Sequence, residues 1–309
     1  MKQNAGPYVV SADIHLLLKD WARRRNFHLP PDEFFQKLRK EFINYMMGVF
    51  PQFEFVAENE LKDGLNRLVR ESDLAPISLD RVYAPSQYQL DITRLINENG
   101  QDRGWGRRFG TSPLIKQFSD LRKLSGQKVC LVDDVIFTGH FIERVIKDLF
   151  RMNIEVAVVC AGIGIAGGIN RITNTNREIK CVRYYPKVID EICERDFYPG
   201  TPFSGRLILE SQKTTETGAP YLLPFGLPTI WASIPLDQEF DFSQLCLQQS
   251  IWLWRKIEEY SRRLISCSDL DRRPRGVPYN DSRFVDKLIF FQQKILTKDK
   301  YAEYRLMLH

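Results

Sequence analysis

Two adjacent carboxylates, Asp133 and Asp134, follow the apolar run Lys128-Val-Cys-Leu-Val132. At the end of a buried strand such a pair is costly without a partner. A polyol satisfies it through vicinal hydroxyls, and a hard cation such as Mg2+ satisfies it directly or through water. Val135-Ile-Phe-Thr-Gly139 comes next, and Thr138-Gly139 opens a segment with Ile142, Val145, Ile146 and Leu149 at helical spacing. Free amides at a helix start, together with the positive end of its dipole, form a phosphate site. A hydroxyl pair and a phosphate set apart by one short loop describe a ribose 5-phosphate. The alternative for the same residues is an ordinary strand-to-helix turn whose acids only cap the next helix.

These residues need a scaffold that holds a strand end against a helix start. Lys128 to Val132 has the continuous apolar character of a strand buried on both faces. After the helix and Arg151-Met-Asn153, Glu155-Val-Ala-Val-Val-Cys-Ala161 supplies a second strand. Strand, helix and strand in about thirty residues make a parallel unit with a right-handed crossover. The second strand runs into Gly162, Gly164, Gly167 and Gly168 at the same end of the sheet. Ile179 to Tyr184 is a further candidate strand, and Val82-Tyr-Ala84 is a short one leading into Pro85. Gly100 to Gly110 carries four glycines in eleven residues and reads as a loop.

Helices flank this middle. Ile14, Leu17, Leu18 and Trp21 repeat at helical spacing, and Arg23-Arg24-Arg25 suits a solvated helix end. Pro30-Pro31-Asp32-Glu33 starts a second helix, whose stripe of Phe35, Leu38, Phe42, Tyr45, Met46 and Val49 is a core face. A long helix is expected over 241–266, where Trp252 and Trp254 cannot share a face. One or two more are expected over 281–308. The organisation read from the chain is a helical region over 1–77, an α/β core over 78–235 and a helical region over 236–309.

The segment Val129-Cys-Leu-Val-Asp-Asp-Val-Ile-Phe-Thr-Gly-His-Phe141 resembles the phosphoribosyl-pyrophosphate motif of type I phosphoribosyltransferases. The resemblance is specific over these thirteen positions and the surrounding strand-helix-strand unit, and diffuse elsewhere. It implies a parallel-sheet α/β fold, with Asp133 and Asp134 on the ribose hydroxyls and on Mg2+, directly or through water. It also implies that Val135, Ile136, Phe137, Thr138, Gly139, His140 and Phe141 wrap the 5-phosphate through backbone amides and the Thr138 hydroxyl. The family's pyrophosphate segment falls near Ala84 to Tyr88, with Ser86 and Gln87, and carries no glycine here. Its mobile hood falls at Gly104 to Gly110, where Arg107 and Arg108 either clamp pyrophosphate or sit on a solvent-exposed loop. Phe137 and Phe141 stand where the family often has small or hydroxyl residues.

The resemblance implies Mg2+-assisted transfer of a phosphoribosyl group to an acceptor that the sequence does not spell, with release of pyrophosphate. A second reading keeps the fold as a non-catalytic sensor of phosphoribosyl pyrophosphate or a nucleotide, an effector subunit of a bacterial conflict or stress-response system. The partners expected are such a small molecule and, through the helical flanks, a protein or a second copy of the chain. A net charge of +5 on 309 residues is too mild to argue by itself for nucleic acid, which is not expected as a partner. With 43% hydrophobic residues the chain fills a core, which excludes wholesale disorder. The N-terminal residues carry no apolar segment of signal-peptide type, and no stretch is long and apolar enough to span a membrane. Six cysteines without a CxxC or any close pair exclude a clustered Zn site, and a reduced, cytoplasmic protein is expected.

Overall fold

The computed structural model describes residues 6–173, 177–209 and 216–294. The chain divides into two compact units. The first holds Val56–Thr93 and Gly106–Glu191 with the described residues before Val10; the second holds Val10–Phe55, Arg94–Trp105 and the described residues from Ile192 onward.

The first unit is built on a five-stranded sheet in which every pairing is parallel. Its spatial order is Tyr88–Gln89, Ala75–Ser78, Lys128–Ile136, Glu155–Ile165 and Glu178–Tyr185. The motif strand is central, and Val129, Cys130, Leu131 and Val132 are fully buried. The helix His140–Arg151 lays Ile142, Val145, Ile146 and Leu149 on a core shared with Val129, Leu131, Val156 and Val159. Helix Glu58–Ser72 packs on the same sheet so closely that a Cβ on Gly64 would lie 2.6 Å from a Val182 methyl. Covering by helices is what an all-parallel sheet needs, and it is why these strands are apolar runs rather than alternating ones.

Several local expectations change. The strand before the motif is Ala75–Ser78, not Val82 to Ala84, whose amides turn to Asp80 instead of a neighbouring strand. The third candidate strand is Glu178–Tyr185, close to its expected place. The glycine-rich segment expected as a loop contains a strand, Asp102–Arg107, reached by a turn over 97–100 in which Gly100 has φ +79°. Gly104, at φ +75°, supplies a backbone bend that other residues resist.

The second unit joins what lies before and after the motif-bearing unit in sequence. Its helices are Ile14–Arg25, Asp32–Val49, Glu239–Ser261 and Phe284–Lys294. The long helix therefore starts and stops earlier than expected, and residues 295–308 of the last expected helix lie outside the described residues. A five-stranded sheet in the order Arg272–Pro274, Glu216–Ala219, Arg206–Ile208, Ile92–Ile96 and Asp102–Arg107 belongs here. Phe35, Leu38, Phe42 and Met46 are buried, as the helical stripe predicts. Trp254 is fully buried between Trp21 and Phe284, with ring centroids 5.3 and 5.4 Å away, and donates to the Pro199 carbonyl at 2.9 Å. Trp252, on the other side of the helix, packs edge-on against Phe34 at 4.7 Å. Arg24 and Arg25 at the first helix end reach Asp271, so that basic run is tied down.

Among the described residues no helix is long and apolar enough to cross a membrane. All six cysteines are free. Folding nevertheless brings two of them together, because Cys130 and Cys160 lie on adjacent strands with their sulfurs 3.5 Å apart.

Candidate functional site

Numbered by sequence, the strands of the motif-bearing sheet run 2-1-3-4-5. The order reverses between Ala75–Ser78 and Lys128–Ile136, and a parallel sheet opens its ligand crevice at the carboxyl ends of the strands flanking such a reversal. Asp133 and Asp134 stand at that place. The motif strand is longer than the apolar run and continues to Ile136, so both acids lie within the strand and not after it. Its neighbours stop at different heights. On one side Asp133 still pairs with Ala161, and Ile136 with Gly164. On the other side the ladder ends where Ser78 pairs with Val132 and the Leu79 amide donates to the Val132 carbonyl at 2.8 Å. From Asp133 onward that edge of the strand therefore faces a loop.

The loop contributes a third acid that the sequence reading missed. Asp80 is 2% exposed, and its carboxylate accepts the amides of Val82, Tyr83 and Ala84 at 2.8, 2.7 and 2.6 Å. Ser78 Oγ ties the two ends of this turn together by donating to the Asp80 and Ala84 carbonyls, each at 2.9 Å. Burial pushes the Asp80 carboxyl up, the nearby Asp134 pushes it further, and the three amides pull it back. Asp133 is raised well above the usual carboxylate range, first by burial and then by Asp134 and Asp80. Its Oδ1 accepts the Asp134 amide at 3.0 Å. Asp80, Asp133 and Asp134 lie near enough to raise one another's proton affinity, and the two acids so raised gain from a hydroxyl donor. Asp80 sits two residues after an apolar-small stretch, Ala75-Pro-Ile-Ser78, and the proline there disguises the strand that would have flagged it.

The segment expected to hold a phosphate links the motif strand to the helix His140–Arg151. Phe137 and Thr138 are exposed, Gly139 has φ +73°, and the helix starts at His140 with no side chain capping it. The Asp pair is thus not the cap of this helix. A second helix, Ala166–Thr173, begins beside the loop. A Cβ on Gly139 would lie 2.5 Å from the Gly168 carbonyl oxygen, and one on Gly168 would lie 3.0 Å from the Gly139 nitrogen. Arg171 of that helix donates to the Thr138 carbonyl at 3.1 Å. Phe141 packs on the hydrophobic core. His140 is exposed at the helix start, and Val135 and Ile136 complete the strand.

The remaining candidates have internal engagements. Ser86 Oγ donates to the Pro76 and Tyr88 carbonyls at 2.8 and 2.9 Å, and the Ser86 amide reaches Gln89. Gln87 lies in the same loop without a regular element. Arg107 is exposed and donates to the Thr111 carbonyl, while the Arg108 amide donates to the Asp91 carbonyl at 2.8 Å. Asp91 also pairs with Arg81, which anchors the Asp80 loop to the segment carrying Arg108. No group of three or more His, Cys, Asp or Glu side chains among the described residues is arranged to hold a metal ion by itself.

No protein-family model matches the chain, and no curated protein matches it. Solved structures are similar over part of it. An adenine phosphoribosyltransferase from Thermoanaerobacter pseudethanolicus is 15% identical over 40% of this chain and 80% of its own, with a TM-score of 0.27. An orotate phosphoribosyltransferase from Aeropyrum pernix is 18% identical over 40% of this chain and 68% of its own, with a TM-score of 0.25. A hypothetical protein from Neisseria gonorrhoeae, solved with bound ppGpp, is 13% identical over 43% of this chain and 82% of its own, with a TM-score of 0.28. These likenesses are distant, and the fold class rests on the strand order and the helices described above: α/β, with a parallel-sheet core.

Proposed function

We propose that the protein binds phosphoribosyl pyrophosphate with Mg2+ and transfers its phosphoribosyl group to a nitrogen acceptor. The observation that carries this reading is the placement of Asp133 and Asp134 at the strand reversal, one loop away from an uncapped helix start. The two carboxylates accept the ribose 2- and 3-hydroxyls and fix the sugar. The amides from Phe137 to Phe141, the helix dipole and the Thr138 hydroxyl take the 5-phosphate. With both ends of the ribose held, C1 faces the crevice. The bond from C1 to the pyrophosphate oxygen breaks with its electrons on the leaving group, the acceptor nitrogen bonds to C1, and that nitrogen loses a proton to solvent. On this reading Arg107 and Arg108 neutralise the leaving pyrophosphate. Mg2+ suits the hard oxygen donors of Asp133 and Asp134; since it typically takes one or two carboxylates plus phosphates and waters, the absence of a three-acid cage is no obstacle. Bound there, it supplies charge neutralisation for the pyrophosphate.

A second reading, binding without turnover, draws on Asp80. The amides of Val82, Tyr83 and Ala84, at the start of the segment expected to hold pyrophosphate, are engaged by an internal carboxylate. On that reading the ligand is a nucleotide or other phosphoribosyl compound, and the chain reports its presence to a protein partner.

Titration calorimetry with phosphoribosyl pyrophosphate and Mg2+ tests the shared core of both readings. The Asp133→Asn, Asp134→Asn double variant should lose binding at least tenfold while keeping its circular dichroism. Unchanged binding would remove both. Pyrophosphate release on incubation with a panel of bases, amines and nucleosides selects transfer, whereas intact ligand after long incubation selects binding alone.

A further inference from the structure

The sheet of the second unit carries two arginines that the surrounding structure does not neutralise. Strands Arg206–Ile208 and Ile92–Ile96 run parallel, with Leu207 opposite Leu95 and Ile208 opposite Ile96. One step earlier in the same register, Arg206 stands beside Arg94. Both lie two residues before an isoleucine of the apolar cluster Ile96, Ile208, Ala219 and Trp231, and so share its face of the sheet. Like charges at opposed positions on neighbouring strands repel. Neither arginine has an ion-pair partner among the described residues. Aromatic rings hold them instead: the Arg94 guanidinium lies 5.3 Å from the Trp105 ring centroid, and that of Arg206 lies 4.7 Å from Trp231 and 5.6 Å from Tyr221.

Arg206 is half-buried, and its side chain donates from Nε to the Tyr221 hydroxyl at 3.4 Å. Its two terminal nitrogens make no hydrogen bond among the described residues, and neither does the exposed Arg94 side chain. Burial raises the Tyr221 hydroxyl first and Asp196 raises it further, while Arg206 and then Arg94 pull it back, so both guanidiniums act on the same phenol. Asp196 is 9% exposed, and its Oδ1 accepts the Gly205 amide at 2.7 Å. A guanidinium presents its donors as a planar fork that fits two oxygens of one anion. Two such forks side by side match the oxygens and the nearly double charge of a phosphate monoester at neutral pH, whereas a carboxylate or a phosphodiester brings a single charge. We infer that Arg94 and Arg206 form a binding site for a phosphomonoester dianion, held between the two ring-stacked guanidiniums on this sheet face. Every residue of the site belongs to the second unit, and the inference does not rest on the function proposed above.

The test reads the two arginines themselves, because a phosphate also suits the loop at Thr138. Phenyl phosphate is titrated into the isotope-labelled chain, and the Nε–Hε resonances of Arg94 and Arg206 are followed by nuclear magnetic resonance, assigned through Arg94→Gln and Arg206→Lys. Both resonances should move along one binding curve. Arg94→Gln, at an exposed position, should weaken the curve read at Arg206 about tenfold, and Arg206→Lys, which keeps the charge but loses the fork, should weaken the curve read at Arg94 by about as much. Dimethyl phosphate, a singly charged diester, should bind about tenfold more weakly than phenyl phosphate. Resonances that do not move, or a curve that either variant leaves unchanged, overturn the site. Dimethyl phosphate binding as tightly as phenyl phosphate overturns the preference for a dianion. A single-stranded oligonucleotide without a terminal phosphate, if it moves both resonances at lower concentration than phenyl phosphate, gives the face to a nucleic-acid strand and also overturns the assignment.

Discussion

In the unit built from the flanking segments, Glu194 accepts two bonds from the Arg39 guanidinium at 2.9 and 2.8 Å, and Glu216 faces Arg272 at 2.5 Å. In the motif-bearing unit, Asp80 meets three backbone amides, and Asp133 meets one amide and two like charges. Both arrangements bury carboxylates, but they differ in what the fold supplies. An acid given a guanidinium is finished as a structural element; Glu194, for instance, also accepts the Asp13 and Ile14 amides at the start of the first long helix. An acid given only amides and other acids still gains from a further donor, and that is the condition of a binding site.

The comparison predicts that the largest loss of stability comes from the finished pairs. Glu194→Ala removes the fully buried acceptor of the Arg39 guanidinium and of the Asp13 and Ile14 amides and should cost about 3–5 kcal/mol in denaturant unfolding. A cost below about 1 kcal/mol would show that the pair is not structural. Gly168→Ala should come next, because its Cβ runs into the Phe137 and Gly139 backbone and that loop must shift. An expected cost of about 1–3 kcal/mol should be accompanied by weaker binding of phosphoribosyl pyrophosphate; unaltered affinity would detach that loop from the ligand.

The unfinished acids should show the opposite sign. Asp133 binds its proton more tightly folded than unfolded, so both states are protonated below the ordinary carboxylate range. As pH rises through and above that range, the unfolded chain releases the proton first and stability falls. Asp133→Asn should flatten that fall and leave the protein more stable at neutral pH, measured as midpoints of urea unfolding from pH 4 to 8. A variant that is less stable at every pH would mean that Asp133 is a structural acid after all. The smallest effect belongs to Phe150→Ala, which removes an exposed ring and should change stability by no more than about 0.5 kcal/mol. Thermal unfolding separates that outcome from any role of the ring in the core.

The parts legible in the sequence were those set by continuous chemistry. The apolar run Lys128 to Val132, the four-residue repeat of Ile142, Ile146 and Val145, Leu149, and the acid pair between them carry their structure within about twenty-five residues, where strand and helix periodicities dominate. Asp80 was illegible because its role depends on a strand containing Pro76 and on the height at which that strand stops, which only the pairing with Val132 fixes. The Asp102–Arg107 strand was hidden by glycines that local preference reads as loop, and tertiary pairing overrode that preference. The two flanks read as separate helical regions because nothing local reports that Trp21 and Trp254 will meet.

Gly139 and Gly168 press backbone on backbone from two different strand-to-helix turns. Enlarging either residue intrudes on the other, and shrinking is impossible because both are already minimal. Because each added Cβ would meet main-chain atoms, which every residue type carries, no exchange at one position relieves the other, and each is held at glycine on its own account.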